Sequence, residues 1–276
     1  MDRRLTPATD RVALAGWDLE RPAVTDGAPM RIAAALTDLR RAPGGARDRQ
    51  LLLGADVTVI EQRDGWAFIR AEADGYCGWV IAAALTAARP PVTHRVGAPA
   101  SHVYPAPDFK QGERIGLSMG CRLSVLATEG RFARLEDGGY VPLAHLSDAP
   151  ARDPATVAQS LLGTPYLWGG NSRGGIDCSG LVQAALHACA IACPGDSDLQ
   201  CAAFPESPAI GRGDLLFWPG HVAMALDGRT MIHATAWTMS VVTEDIAAAI
   251  ARIEAAGDGP FLGARRPALD GRIAFP

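Results

Sequence analysis

The chain has 276 residues, long enough for two or three compact units with real cores, and 48% hydrophobic residues with scattered charge mark a soluble globular class. A net charge of −4 without a Lys/Arg run leaves no electrostatic footprint for nucleic acid. No apolar run approaches the ~20 residues that a membrane-spanning helix needs, so neither nucleic acid nor membrane is expected as a partner. Lys110 is the only lysine, a bias of composition that carries no function.

Residues 1–27 read as an N-terminal extension. Asp2, Asp10 and Asp18 interrupt it, and its apolar stretch, Val12 to Trp17, is shorter than a typical export-signal core of ~7–15 residues. A cytoplasmic location is expected. Residues 28–89 and 92–148 then carry a weak repeat. "LLLGADVTVIEQRDGWAFI" from Leu51 resembles "LSMGCRLSVLATEGRFARL" from Leu117, aligning Gly54 with Gly120, Val59 with Val125 and Gly65 with Gly130. Each copy runs on to a second glycine turn, "DGYCGWV" or "DGGYVPL". Alternating apolar residues broken by glycine every eight to twelve positions predict two small antiparallel barrels of about sixty residues each. Pro90 and Pro91 separate them, and "SDAPARDP" links them to a third unit, residues 152–276.

In that unit the pattern changes. A short helix is expected over Thr156 to Leu162, then the loop "GTPYLWGGNSRGG", a second helix, and three strands, "LLFW", "HVAMAL" and "RTMIHAT". Helices followed by antiparallel strands make an α+β unit. The second helix opens in "GGIDCSGLVQAAL": Leu181, Val182, Ala185 and Leu186 lay one apolar stripe behind Cys178, which falls in the first turn with Asp177 as N-cap. A thiol there feels the positive end of the helix dipole, so a depressed pKa and a nucleophilic role are expected.

A nucleophile needs a base, and His221 and His233 flank an Asp-Gly turn. A two-residue loop would pair Val222 with His233 and throw the histidines to opposite faces. A three-residue loop, Asp227 to Arg229, pairs Ala223 with His233 and sets both imidazoles on one face, and this register is the expected one. Cys178 then attacks a carbonyl with His221 as imidazolium partner, His233 fixes the tautomer of His221, and the helix start supplies oxyanion donors. The other cysteines are read as buried free thiols in a reducing compartment, although Cys189 and Cys193, taken as sharing a helix face, with Cys201 raise a metal cluster as the alternative.

"GTPYLWGG", "GIDCSGLVQAAL", "DSDLQ", "GRGDLLFW", "HVAMAL" and "MIHAT", in that order over residues 152 to about 267, resemble the NlpC-type cysteine peptidases that cut bacterial cell-wall peptides. The resemblance implies a papain-like catalytic domain behind two SH3-like barrels, with Cys178, His221 and His233 as the catalytic residues, Tyr166 beside the oxyanion site, and no cofactor or metal. With "FLGARRP", it extends to the cytosolic subgroup of γ-D-glutamyl-L-diamino acid endopeptidases that recycle murein peptides. It then implies a tripeptide or tetrapeptide substrate with a free N-terminal L-Ala. Tyr76 of the first barrel would meet the substrate amine, and where the family has an acidic partner this sequence places Ala55 or Asp56; Asp177, Ser179, Asp196, Ser197 and Trp168 would line the pocket. Two rival readings are an exported hydrolase acting on intact wall, and a non-catalytic protein holding zinc through Cys178, His221 and His233.

Overall fold

The computed structural model describes residues 1–87 and 90–267. Residue 89, the expected end of the first barrel, and residues 268–276 of the expected catalytic domain lie outside them. The chain divides into two compact units, one running Met1–Asp148 and one beginning at Ala149.

In the first unit, β1 (Val12–Leu14) pairs in parallel with β2 (Ala23–Thr25). There follow β3 (Ala28–Ile32), β4 (Leu36–Arg40), β5 (Arg47–Leu52), β6 (Asp56–Arg63), β7 (Trp66–Ala71), β8 (Cys77–Ile81) and β9 (Leu85–Ala87). They form one seven-stranded antiparallel sheet in the order β5-β4-β8-β7-β6-β3-β9. Alternate side chains meet inside it, among them Ile32, Leu39, Val57, Ile69, Tyr76 and Val80. The opposite face is also apolar: Ile60, Phe68, Cys77 and Trp79 are covered by Val12 and Leu14 of the N-terminal segment. The N-terminal extension thus packs through Val12 and Leu14 on the sheet's second face, a role that so short an apolar stretch does not announce.

The second repeat copy contributes β10 (His94–Val96), β11 (Ala100–Val103), β12 (Ile115–Ser118), β13 (Arg122–Leu123), β14 (Val125–Glu129), β15 (Phe132–Leu135), β16 (Tyr140–Pro142) and β17 (Leu146–Ser147), around Val96, Val103, Leu117, Leu123 and Val141. Its backbone follows the first copy closely. Gly54, Gly65 and Gly75 have φ of 82°, 78° and 76°, and Gly120, Gly130 and Gly138 have 89°, 60° and 77°, a left-handed conformation that other residues rarely adopt. The ladder is bulged between Val59 and Glu61 in one copy and between Val125 and Ala127 in the other. The copies are tied at Gly54, where an added Cβ would sit 2.1 Å from the Arg122 carbonyl oxygen. Beside it the Arg122 guanidinium reaches Asp56 at 2.6 Å, and Asp56 also accepts from Arg31 at 2.9 Å.

The second unit opens with α1 (Pro154–Ser160), two residues earlier than its apolar spacing suggests, because Asp153 caps it through the Ala155 and Thr156 amides and Pro154 takes the first turn. After the short hairpin β18 (Asn171–Ser172) and β19 (Gly175–Ile176) come α2 (Cys178–Ala188) and α3 (Ser197–Ala203). The sheet has five strands, not three: β20 (Leu215–Trp218), β21 (His221–Ala225), β22 (Thr230–Thr235), β23 (Ser240–Asp245) and, after α4 (Ile246–Ala255), β24 (Gly263–Arg265), in the order β23-β22-β21-β20-β24. β23 alternates burial along "SVVTED", and its polar half hid it in the sequence. Ile246, Ala249 and Ile253 of α4 pack on the sheet face that carries Leu216, Ala223, Ala225 and Met231. Helix α2 stops at Ala188, and Ala190 takes φ 58°, so Cys189 and Cys193 do not share a helix face as the sequence had suggested.

Candidate active site

The start of α2 is held by a short network. Asp177 accepts from the Gly180 amide at 2.6 Å and the Ser179 hydroxyl at 3.0 Å through one oxygen, and from the Gly169 amide at 2.9 Å through the other. Its carboxylate is thereby committed to the protein, despite burial that raises its pKa. Gly180 is required by proximity, since a Cβ there would lie 2.5 Å from the Gly170 carbonyl oxygen. Buried Gln200 of α3 donates to the carbonyls of Ser179 and Pro194, both at 3.0 Å, and fastens α3 to the same turn.

Cys178 is buried, with the backbone N–H groups of Val222, Ser179 and Cys178 itself directed at its sulfur. Those donors favour the thiolate, but burial first and the neighbouring Asp177 charge second push the thiol up to about 12. The depressed pKa expected from the helix start alone is overturned: one dipole does not offset the loss of water. The Val222 amide also places the sulfur at the head of β21, beside His221.

The hairpin has the three-residue loop. Met224 pairs with Ile232 and Ala225 with Met231, the Leu226 amide donates to the Thr230 carbonyl at 2.8 Å, and the Asp227 carboxylate accepts from the Arg229 and Thr230 amides at 2.7 Å each. His221 Nε2 and His233 Nδ1 are 2.9 Å apart. Most of the His221 ring is enclosed though an edge stays at the surface, and burial, then His233, lower it to about 3. His233 is fully buried and lowered to about 4, burial outweighing the attraction of Glu244. At neutral pH the group rests as a thiol and two neutral imidazoles, not as the ion pair expected.

Two functional candidates escaped the sequence. Glu244 Oε2 lies 3.2 Å from His233 Nε2, and Arg252 of α4 forks onto Glu244 at 2.9 and 2.7 Å. The register shows why: β23 sets Val242 opposite His233, so Glu244, two residues on, faces the same way. Reading Ser240–Asp245 as a strand would have revealed it.

The remaining candidates divide by unit. Tyr166 is half-buried, its amide on the Met239 carbonyl at 2.9 Å, and its hydroxyl is pushed up to about 12 by burial and then by Cys178 and Asp177, which places it at the thiol. Ser179 is buried on Asp177, Asp196 sits ahead of α3 at φ 60° with Ser197 opening the helix, and Trp168 is 66% exposed. Tyr76 belongs to the first unit, in whose core it is buried with the Arg49 guanidinium 5.2 Å from its ring centre. Ala55 packs against that core and Asp56 is taken by two arginines, so neither offers an unpaired carboxylate for an amine. The two imidazoles bond each other rather than converging on one point, and no set of three His, Cys, Asp or Glu residues among the described residues is arranged to hold a metal ion.

A thiol on a helix start with paired histidines on an adjacent hairpin is a peptidase arrangement, and the comparisons with known proteins agree. Residues 163–253 match the model of the NlpC/P60 family, and residues 39–85 that of the bacterial dipeptidyl-peptidase Sh3 domain. The chain carries an NlpC/P60 papain-like domain behind an SH3-like domain. It is 29% identical over 216 residues, 67% of its own length and 71% of the relative's, to a γ-D-glutamyl-L-lysine dipeptidyl-peptidase of Bacillus subtilis (strain 168). It is 40% identical over 83 residues, 29% of this chain and 30% of the other, to dipeptidyl-peptidase 6 of Lysinibacillus sphaericus. The crystal structure of an NlpC/P60 family protein from Bacillus cereus ATCC 10987 superposes with a TM-score of 0.73 over 87% of this chain and 99% of that one, at 22% identity, a likeness of fold. The NlpC/P60 match and these relatives support a peptidase.

Proposed function

We propose that the protein is a cysteine peptidase that hydrolyses the amide between the γ-carboxyl of D-Glu and a diamino acid, meso-diaminopimelate or Lys, in short murein peptides with a free N-terminal L-Ala. The observation that carries the reading is the 2.9 Å contact of His221 with His233 beside a thiol on a helix start. The names of the relatives supply the γ-D-glutamyl bond. Recycling of wall peptides in the cytoplasm fits Cys77, Cys121, Cys178 and Cys189, all buried as thiols.

In this reading Cys178 attacks the γ-carbonyl as His221 takes the thiol proton, and the Cys178 and Ser179 amides with the Tyr166 hydroxyl stabilise the oxyanion. His221 then passes the proton to the leaving amine, and water hydrolyses the thioester. Asp177 holds the Gly169 loop and Ser179 in place, while Ser179, Asp196, Ser197 and Trp168 border the peptide. The free N-terminal amine of the substrate is a cation that needs partners once it is desolvated.

Mass spectrometry of L-Ala-γ-D-Glu-meso-diaminopimelate, incubated with the protein, with Cys178→Ala, and beside an N-acetylated peptide, tests the proposal. Cleavage after D-Glu is expected for the free peptide and the native protein only. Cleavage by Cys178→Ala, or equal cleavage of the acetylated peptide, overturns the mechanism or the specificity respectively.

A further inference from the structure

Resting on the peptidase reading, we propose that Glu244, gripped by Arg252, is the positioning residue that decides which way the His221–His233 hydrogen bond runs, and so whether His221 can act as a base. The 2.9 Å contact between His221 Nε2 and His233 Nδ1 has room for one proton. If it sits on His221, that ring keeps its Nδ1 lone pair and can accept the proton of Cys178. If it sits on His233, neutral His221 carries its proton on Nδ1 and has no lone pair left for the thiol.

The far side of His233 makes the choice. Its Nε2 is buried and has no aligned hydrogen-bond partner, and the Glu244 carboxylate stands 3.2 Å away. A carboxylate only accepts, so the His233 proton belongs on Nε2, leaving Nδ1 to accept from His221. Arg252 fixes the carboxylate through both oxygens, at 2.9 and 2.7 Å, and keeps Glu244 ionised, its pKa lowered first by that bond. The Trp237 ring lies 5.3 Å from the Arg252 guanidinium carbon and holds it from the other side. The charged or titratable groups facing this relay are Glu244 on β23, Arg252 on α4 with Asp258 just beyond it, Cys178 and Asp177 at the head of α2, and Tyr166 in the preceding loop.

Glu244→Gln separates this role from simple support. An amide keeps the shape but presents an N–H to His233 Nε2, which moves the His233 proton to Nδ1 and reverses the bond. The expected result at pH 7 is a 10- to 100-fold lower kcat with KM little changed, the cost usual when the partner that fixes a metal-ligating imidazole's tautomer is removed. Nitrogen-15 NMR of the full chain should show His221 changing from the Nε2–H to the Nδ1–H tautomer, with Glu244→Asp restoring the native tautomer in part. Because the NMR reading needs no substrate, it stands even if the murein peptide is not cleaved, so the two proposals fail separately. A Glu244→Gln protein with the native tautomer or undiminished kcat overturns the inference. Should that variant not fold, Arg252→Lys, which replaces the fork by a single point contact, is read in the same way: a several-fold loss of kcat with KM unchanged supports it, and no loss refutes it.

Discussion

The protonation state of Cys178 at rest can be measured directly. A thiol pushed up to about 12 facing an imidazole lowered to about 3 leaves the proton on sulfur by roughly nine powers of ten. Transferring it creates two opposite charges, and an ion pair at the generic contact separation of ~4 Å is worth about 4 kcal/mol at an effective dielectric constant near 20, roughly three powers of ten. About six remain, so the thiol form dominates and ionisation must accompany attack on the carbonyl. The assay is the thiolate ultraviolet absorbance of the native protein minus that of Cys178→Ser, followed from pH 4 to 11. The difference should stay at zero through neutrality and rise only above about pH 10. A full thiolate signal between pH 5 and 8 would refute the reasoning, showing that the Val222, Ser179 and Cys178 amides outweigh burial.

Gly180→Ala brings a Cβ to 2.5 Å from the Gly170 carbonyl oxygen and 3.0 Å from the Asp177 carboxylate, so the loop must move; a loss of about 1–3 kcal/mol in thermal unfolding, with reduced kcat, is expected. Two imidazoles lowered to about 3 and about 4 bind protons less readily folded than unfolded, where the pKa is near 6.5. Their contribution is therefore present above pH 6.5 and lost as pH falls towards 3, so urea midpoints should fall on acidification, less steeply in His233→Gln.

Much of this was legible because it depended on short-range rules. The glycines of the repeat recur where a turn needs positive φ, and the stripe behind Cys178 has only one helical reading. What stayed hidden depended on surroundings. Glu244 sits in a strand whose polar residues face a buried histidine, so its pattern resembles a solvated edge. The thiol pKa is set first by burial, with the Val222 amide of β21 among the groups at the sulfur, and no window around Cys178 contains that strand. The N-terminal segment gains its place only because the barrel's second face is apolar at Ile60, Phe68 and Trp79.

The site finally turns on the length of one loop. A strand has a period of two, so one residue more or less between β21 and β22 decides whether His233 meets His221 or faces away. The Asp227 carboxylate, by accepting the Arg229 and Thr230 amides, stabilises the three-residue turn against the two-residue turn that Asp-Gly otherwise favours. The sheet adds its own preference: Met231, two residues before His233 and so on the same face, packs with Ile253 of α4, and β23, in its own register with β22, sets Glu244 opposite Met231 on that face. Apolar packing on α4 and the polar relay from Arg252 to His221 thus require one register, and a slip that broke the chemistry would also expose the core. The catalytic geometry is held by the stability of the whole sheet rather than by the few contacts among the histidines.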